Sequence, residues 1–170
     1  SAACGDDTGE SGAGGGGSGA GTGGARPSGA TSTTGEPATA ALSFFVTSRG
    51  NGTGGFGGIA GTDAFCGELA AAVGSKRTWR AYVSTSSEDA RDRIGSGPWT
   101  NADDVVVASD VATLHASGIA AADVVDENGG SVPTVSPDNQ HDILTGSNQD
   151  GTSSGSDCLG WTSQEPSAYA

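Results

Sequence analysis

The first 40 residues hold 13 glycines and no aromatic residue, valine, isoleucine or leucine. No other stretch constrains the fold as strongly. A segment with so little apolar surface cannot offset the entropy lost on ordering it. Residues 1–40 therefore read as a disordered, Gly/Ser-rich tether. The foldable part runs from Ala41 to Ala170, about 130 residues, which is the size of one ordinary domain with a single modest core.

Charge narrows the partners. Residues 41–170 carry 16 Asp or Glu against 6 Lys or Arg, and the whole chain stands at −13. A field of that sign repels phosphate backbones, sulfated polyanions and anionic lipid headgroups, so nucleic acid and heparin-like ligands are not expected. No apolar run approaches the roughly 20 residues of a membrane helix.

The domain pattern mixes strands and helices. "ALSFFVTS" (residues 41–48) is rich in aromatic and β-branched residues and reads as a strand, followed by the glycine loop "RGNGTGGFGGIAG". Thr62 is then the expected cap of a helix that places Asp63 in its first turn and ends at Gly74. Phe65, Leu69 and Val73 fall at i, i+4 and i+8 beside Cys66 and Ala70, which turns Cys66 toward the core. "TWRAYVS" (residues 78–84) alternates, with Trp79, Ala81 and Val83 on one face and Arg80 and Tyr82 on the other, as a half-buried strand requires. "SSEDARDRIG" has a serine cap, early acids and late arginines, the charge order of a second short helix ended by Gly95. "DVVVAS" (residues 104–109) reads as a strand, "DVATLHASG" as one or two helical turns, and Asn128–Gly130 as a hairpin-type turn. A brief strand is expected at Ile143–Thr145, ahead of a long polar loop and a last segment around Cys158 and Trp161. The order β, α, β, α and then short strands in long loops implies an α+β fold and not a repeating βαβ unit.

Catalytic signatures are scarce. Gly50 to Gly55 satisfies G-x-G-x-x-G after a strand, but several more residues precede the helix and the next strand ends in Ser84-Thr85 instead of an acid, so a dinucleotide site is not expected. No serine sits at a strand-to-helix nucleophile elbow, and His115 and His141, the only histidines, have no metal-ligand spacing. Catalytic residues are therefore not assigned. Asp138, Asn139, Asp142, Asn148, Asp150 and Asp157 crowd the late loop and make weak calcium candidates, because calcium takes oxygen ligands. No other cofactor is expected. Loops this long in a small domain are commonly functional, and those between Pro98 and Gly155 are the expected contact region.

Three cysteines remain: Cys4, Cys66 and Cys158. "SAAC" followed by "GDDTGESGAGGGGSGAG" resembles the end of a bacterial lipoprotein signal, with Cys4 as the lipidated residue and the tether after it. The alternative is a stray cysteine in a polar tail. Leu, usual three residues before such a cysteine, is replaced by Ser1. Methionine is absent throughout, and a processed segment is expected to precede the chain. For Cys66, buried on a helix, a disulfide in an exported protein is the expected state, and a Cys66–Cys158 pair is possible in principle.

Taken together, "FFVTSRGNGTGGFGGIAGTDAFCGELAAAVG", "TWRAYVSTSSEDARDRIGSGPW" and "ILTGSNQDGTSSGSDCLGWTS" resemble the bacterial endostatin-like domains of predicted surface lipoproteins of leptospires and myxobacteria. More distantly they resemble endostatin, the C-terminal domain of collagen XVIII. The resemblance spans most of residues 43–163. It implies a C-type-lectin-like fold, α+β with two helices and a small antiparallel sheet, in which Cys66 and Cys158 each bond to a cysteine in a later stretch. The chain ends at Ala170 without either mate, so closing strands and both partners are expected beyond it, and Cys66 is expected here as a core-facing thiol without a partner. The resemblance further implies a lipid-anchored, non-enzymatic binding or adhesion module of the bacterial envelope or cell surface, with an extracellular protein or glycan ligand. The alternatives are a structural envelope lipoprotein and an enzyme on a lectin-like fold. Endostatin's zinc histidines and basic heparin surface have no counterpart in this sequence, and neither does the calcium-binding W-N-D of sugar-binding lectins.

Overall fold

The computed structural model describes residues 1–7, 41–133 and 142–165. The fold is α+β, as the element order requires, and the described residues form two right-handed helices, a three-stranded and a two-stranded antiparallel sheet, and short turns. The larger sheet has the order β2–β1–β3, with β1 Ala3–Asp6, β2 Phe44–Val46 and β3 Trp79–Ala81. Cys4 lies opposite Phe45 on one side and Ala81 on the other.

This central strand corrects the tether reading at its first residues. Ala3–Asp6 are buried and hydrogen-bonded on both edges, so the ladder supplies the ordering energy that their composition lacks. Arg77 also pairs with the buried Asp6. Residues 8–40, the rest of the expected tether, lie outside the described residues.

Side-chain alternation gives the sheet two buried faces. Cys4, Phe45, Trp79 and Ala81 belong to a core cluster that includes Leu69 and Ala70 of α1 (Ile59–Ala72) and, from the C-terminal segment, Cys158 and Trp161. Ala3 and Phe44 belong to a second cluster with Ile94, Trp99, Ala108 and Leu114. The inward stripe read from the sequence is present in α1: Cys66, Leu69 and Ala70 are buried, with Phe65 and Val73 packed beside them.

The helix nevertheless starts earlier than Thr62. Gly58 is its N-terminal flank, and Gly61 and Thr62 donate their N–H groups to Gly58 O. A Cβ at Gly61 would lie 1.7 Å from Phe56 O, so glycine is what lets the chain fold back tightly enough to begin there. Thr62 then sits inside the helix, donating to Ile59 O, and Asp63 leaves the first turn for tertiary work: Oδ1 accepts from Ala81 N and from Arg93, and Oδ2 from Arg80.

The same competition dissolves the expected second helix. Only a single 3-10 turn, Ala90–Asp92, forms. Its polar groups are drawn to distant partners: Asp89 Oδ1 accepts from Ser153 N, Ser84 Oγ accepts from Ala90 N, and Arg93 reaches Asp63, Glu88 and Ala81 O. The smaller sheet pairs β4 (Trp99–Thr100) with β5 (Val106–Ala108). Next comes α2 (Val111–Ser117), capped by Asp110, whose carboxylate accepts from Thr113 N at 2.7 Å. The turn at Asn128–Gly130 closes a Val125–Ser131 bridge, as its Asn-Gly-Gly signal predicts. Ile143–Thr145 does not join a sheet ladder. Its backbone bonds are isolated ones, among them Leu144 N to Ser1 O and Ser84 N to Thr145 O.

The cysteine reading needs the largest correction. Cys4 and Cys66 form a disulfide, with Cα atoms 5.7 Å apart, and both are fully buried. Cys66 is therefore not a thiol awaiting a mate beyond Ala170: β1 carries its partner into the centre of the sheet, on the face that α1 covers. The Cys4 sulfur is consumed in that bond, so in this fold it is not the free sulfur a lipid attachment at Cys4 requires. Cys158 is a buried free thiol, and burial, reinforced by the neighbouring Asp157, pushes its pKa up. It opens a short left-handed turn, α3 (Cys158–Trp161), in which all four residues have φ between +50° and +66°. L-residues adopt such a turn at a cost of about 1–2 kcal/mol each. Opposing that cost, Trp161 is buried and donates Nε1–H to Ser84 O, and Asp157 accepts from Gly160 N.

Candidate functional site

The sheet face opposite the disulfide forms the floor of a cavity of about 270 Å³. Ala3, Phe44 and Val46 supply apolar floor, because residues two apart on a strand point the same way. Leu114 of α2 and Ile119 and Val124 beyond it form one wall, and Ile143 another. The polar lining consists of Tyr82, His115, Thr145 and Gln149.

Tyr82 follows β3 on its non-disulfide face, the side predicted by alternation, and its hydroxyl lies 2.7 Å from His115 Nε2. The two rings stack with centroids 5.9 Å apart. His115 Nδ1 lies 2.6 Å from Val111 O, four residues back along α2. A carbonyl can only accept, so Nδ1 carries a proton. In neutral His115, Nε2 is then a bare lone pair, and the Tyr82 hydroxyl donates to it. The arrangement leaves the lone pairs of the Tyr82 oxygen as acceptors. Burial pushes the Tyr82 hydroxyl pKa up to about 12; Asp150 adds to the shift and Arg91 opposes it. The phenol therefore stays neutral at physiological pH.

A glycine holds the loop over this pair. Gly151 has φ +79°, and a Cβ there would lie 2.3 Å from His115 Nε2 and 2.7 Å from Arg91 Cβ. Any larger residue would push the imidazole off Tyr82. Arg91 fixes the same loop, donating N–H to Gly151 O and its guanidinium to Asp150 O.

Among the described residues the calcium candidates Asp142, Asn148, Asp150 and Asp157 do not converge. Asp150 Oδ1 accepts from Thr152 N and Oγ1, which lowers the carboxyl pKa. Asn148 donates to Thr152 Oγ1 and Ser153 O, and Asp157 accepts from Gly160 N and Ser86 N. These groups stabilise turns instead of facing a common point. Asp142 is exposed. Asp138, Asn139 and His141 lie outside the described residues. Among the described residues no group of three or more His, Cys, Asp or Glu is placed to hold a metal ion, and no helix is long and apolar enough to cross a membrane.

Tyr82 and His115 were not singled out as a pair by the sequence. Alternation gives the face of Tyr82, but its partner is 33 residues away and only the fold brings the two together. The arrangement is thus an α+β domain with an apolar cavity and one hydrogen-bonded polar end. Neither a scan against models of protein families nor a search of curated proteins finds a match to this chain.

Proposed function

We propose that this protein is a non-catalytic binding module of the bacterial envelope or cell surface, and that its ligand is an extracellular protein contacted by the face between Pro98 and Gly155. One observation carries the reading: the cavity beneath that face is apolar in seven of its eleven lining residues, and both nitrogens of its histidine are already hydrogen-bonded. Apolar walls with a few fixed polar groups suit a ligand anchor. The two His115 bonds hold the Tyr82 hydroxyl in place as one of those fixed polar groups. A glycan, with hydroxyls all round, would leave most of its polar groups unpaired against these walls, which favours protein over sugar.

The Cys4–Cys66 disulfide supports export, since such bonds persist in oxidising compartments. Kinship with endostatin-like domains belongs to the same proposal and agrees with the α+β class. A lipid anchor on Cys4 does not belong to it. The test is capture of matrix or envelope proteins by the complete chain, beside an Ile119→Trp variant that fills the cavity. Specific capture that the substitution abolishes supports the reading. Capture no better than that by residues 1–40 alone rules it out.

A further inference from the structure

The cavity has a size, a polarity and a charge, and together they select an occupant. An apolar cavity of about 150 Å³ suffices for benzene. At about 270 Å³ this one takes a single aromatic group with a short stem, roughly ten heavy atoms. It is smaller than the 300–1,000 Å³ typical of pockets that enclose whole drug-sized ligands.

The polar end sets the second requirement. With the Tyr82 proton directed to His115 Nε2 and the His115 Nδ1 proton to Val111 O, the Tyr82 oxygen offers lone pairs, and its matching ligand group is a hydrogen-bond donor. Thr145 Oγ1 already accepts from Ser147 N. Charge sets the third. Asp150 acts on the Tyr82 hydroxyl, Arg91 opposes it while bonded to Asp150 O, and the chain as a whole stands at −13. A carboxylate or phosphate head would meet a negative field and an acceptor already in place.

We infer that the cavity is a socket for a tyrosine or tryptophan side chain of the partner polypeptide, with the ring against Phe44, Val46 and Ile143 and the phenol O–H or indole N–H donated to the Tyr82 oxygen. The inference rests on the binding-module reading and names the anchor of that interface. Tyr and Trp are the residues that combine a large apolar body with one donor, and they dominate the energetics of protein interfaces.

The test uses the complete, disulfide-bonded chain and calorimetric or NMR titration with defined probes. These are 4-ethylphenol, ethylbenzene and 4-ethylbenzoate, and the peptides Gly-Gly-Tyr-Gly-Gly and Gly-Gly-Phe-Gly-Gly. The expected order is 4-ethylphenol above 4-ethylbenzoate and the tyrosine peptide above the phenylalanine peptide. The double substitution Tyr82→Phe, His115→Leu removes the polar end and keeps the apolar walls. It should weaken 4-ethylphenol and the tyrosine peptide about tenfold, as expected for a buried donor left unpaired, and leave ethylbenzene within about twofold. Ile119→Trp should abolish binding of every probe, which locates the site independently of the double variant.

Equal affinity for ethylbenzene and 4-ethylphenol, unaffected by the double variant, would overturn the inference. So would preference for 4-ethylbenzoate, no binding of any probe, or binding that survives Ile119→Trp. Uptake of 4-ethylphenol without the tyrosine peptide would assign the cavity to free small molecules and overturn the polypeptide anchor. If the peptides fail while protein capture by the chain succeeds, this inference falls and the broader function stands. If the tyrosine peptide binds while capture fails, the reverse holds.

Discussion

Removal of the Cys4–Cys66 bond, as Cys4→Ala with Cys66→Ala, should cost about 4 kcal/mol of stability. The two residues are 62 apart in sequence, and the chain-entropy relation for closing a loop of that length gives about 14 cal/mol/K, or about 4 kcal/mol at 25 °C. The effect acts on the unfolded chain, which gains freedom when the link is absent. Alanine is the appropriate replacement because both sites are fully buried and a serine hydroxyl there would need a partner. For a chain of this length the loss corresponds to a fall in melting temperature of about 8–16 °C. Calorimetric melting of the oxidised parent and the double variant in one buffer measures it, and peptide mapping under non-reducing conditions checks the pairing. The parent should yield a Cys4–Cys66 linked peptide, with Cys158 labelled only after denaturation. A melting point within about 3 °C of the parent, or a Cys4 that alkylates in the native oxidised protein, would refute both the staple and the placement of β1.

Two other perturbations probe separate parts of the fold. The Tyr82 phenol should ionise near pH 12, visible as the part of the 295 nm absorbance change that Tyr82→Phe abolishes. Because the folded pKa lies above the ordinary value of 10.0, this group's contribution is fully present below pH 10 and is lost as pH rises through 12, so stability should fall across that window. A Tyr82 signal centred at pH 10 would contradict the buried, hydrogen-bonded phenol. Asp63→Asn should cost about 3 kcal/mol in urea unfolding, because it strips a carboxylate from Arg93, whose side chain is 2% exposed. A loss below about 1 kcal/mol would mean that Glu88 alone suffices to satisfy that guanidinium.

Where the fold was legible in the sequence, local pattern and tertiary packing agree. The stripe through Cys66, Leu69 and Ala70, the alternation through Trp79 and Ala81, the helical turns of "DVATLHASG" and the Asn128–Gly130 turn each follow from periodicity or local hydrogen bonding. Where it was not legible, distant partners override local preference. "SAACGDD" contains no β-branched or aromatic residue, and its strand exists because β2 and β3 bond to it. The charges of "SSEDARDRIG" are ordered as in a helix, yet their carboxylates and guanidinium groups face Ser153 N and Asp63 instead. The left-handed turn at Cys158–Trp161 has only one glycine to announce it. The candidate site depends on contacts across 33 residues, which no window along the chain can join.

The order of the larger sheet also governs how the molecule comes apart. β2 and β3 are not hydrogen-bonded to each other; each is tied into the sheet by β1 alone. An opening that releases an edge strand leaves a sheet behind, whereas one that releases β1 leaves no ladder at all. The amides of Ala3–Asp6 should therefore be the last of this sheet to exchange, with a native-state opening free energy at least as high as those of Phe44–Val46 and Trp79–Ala81, whose strands can be released singly.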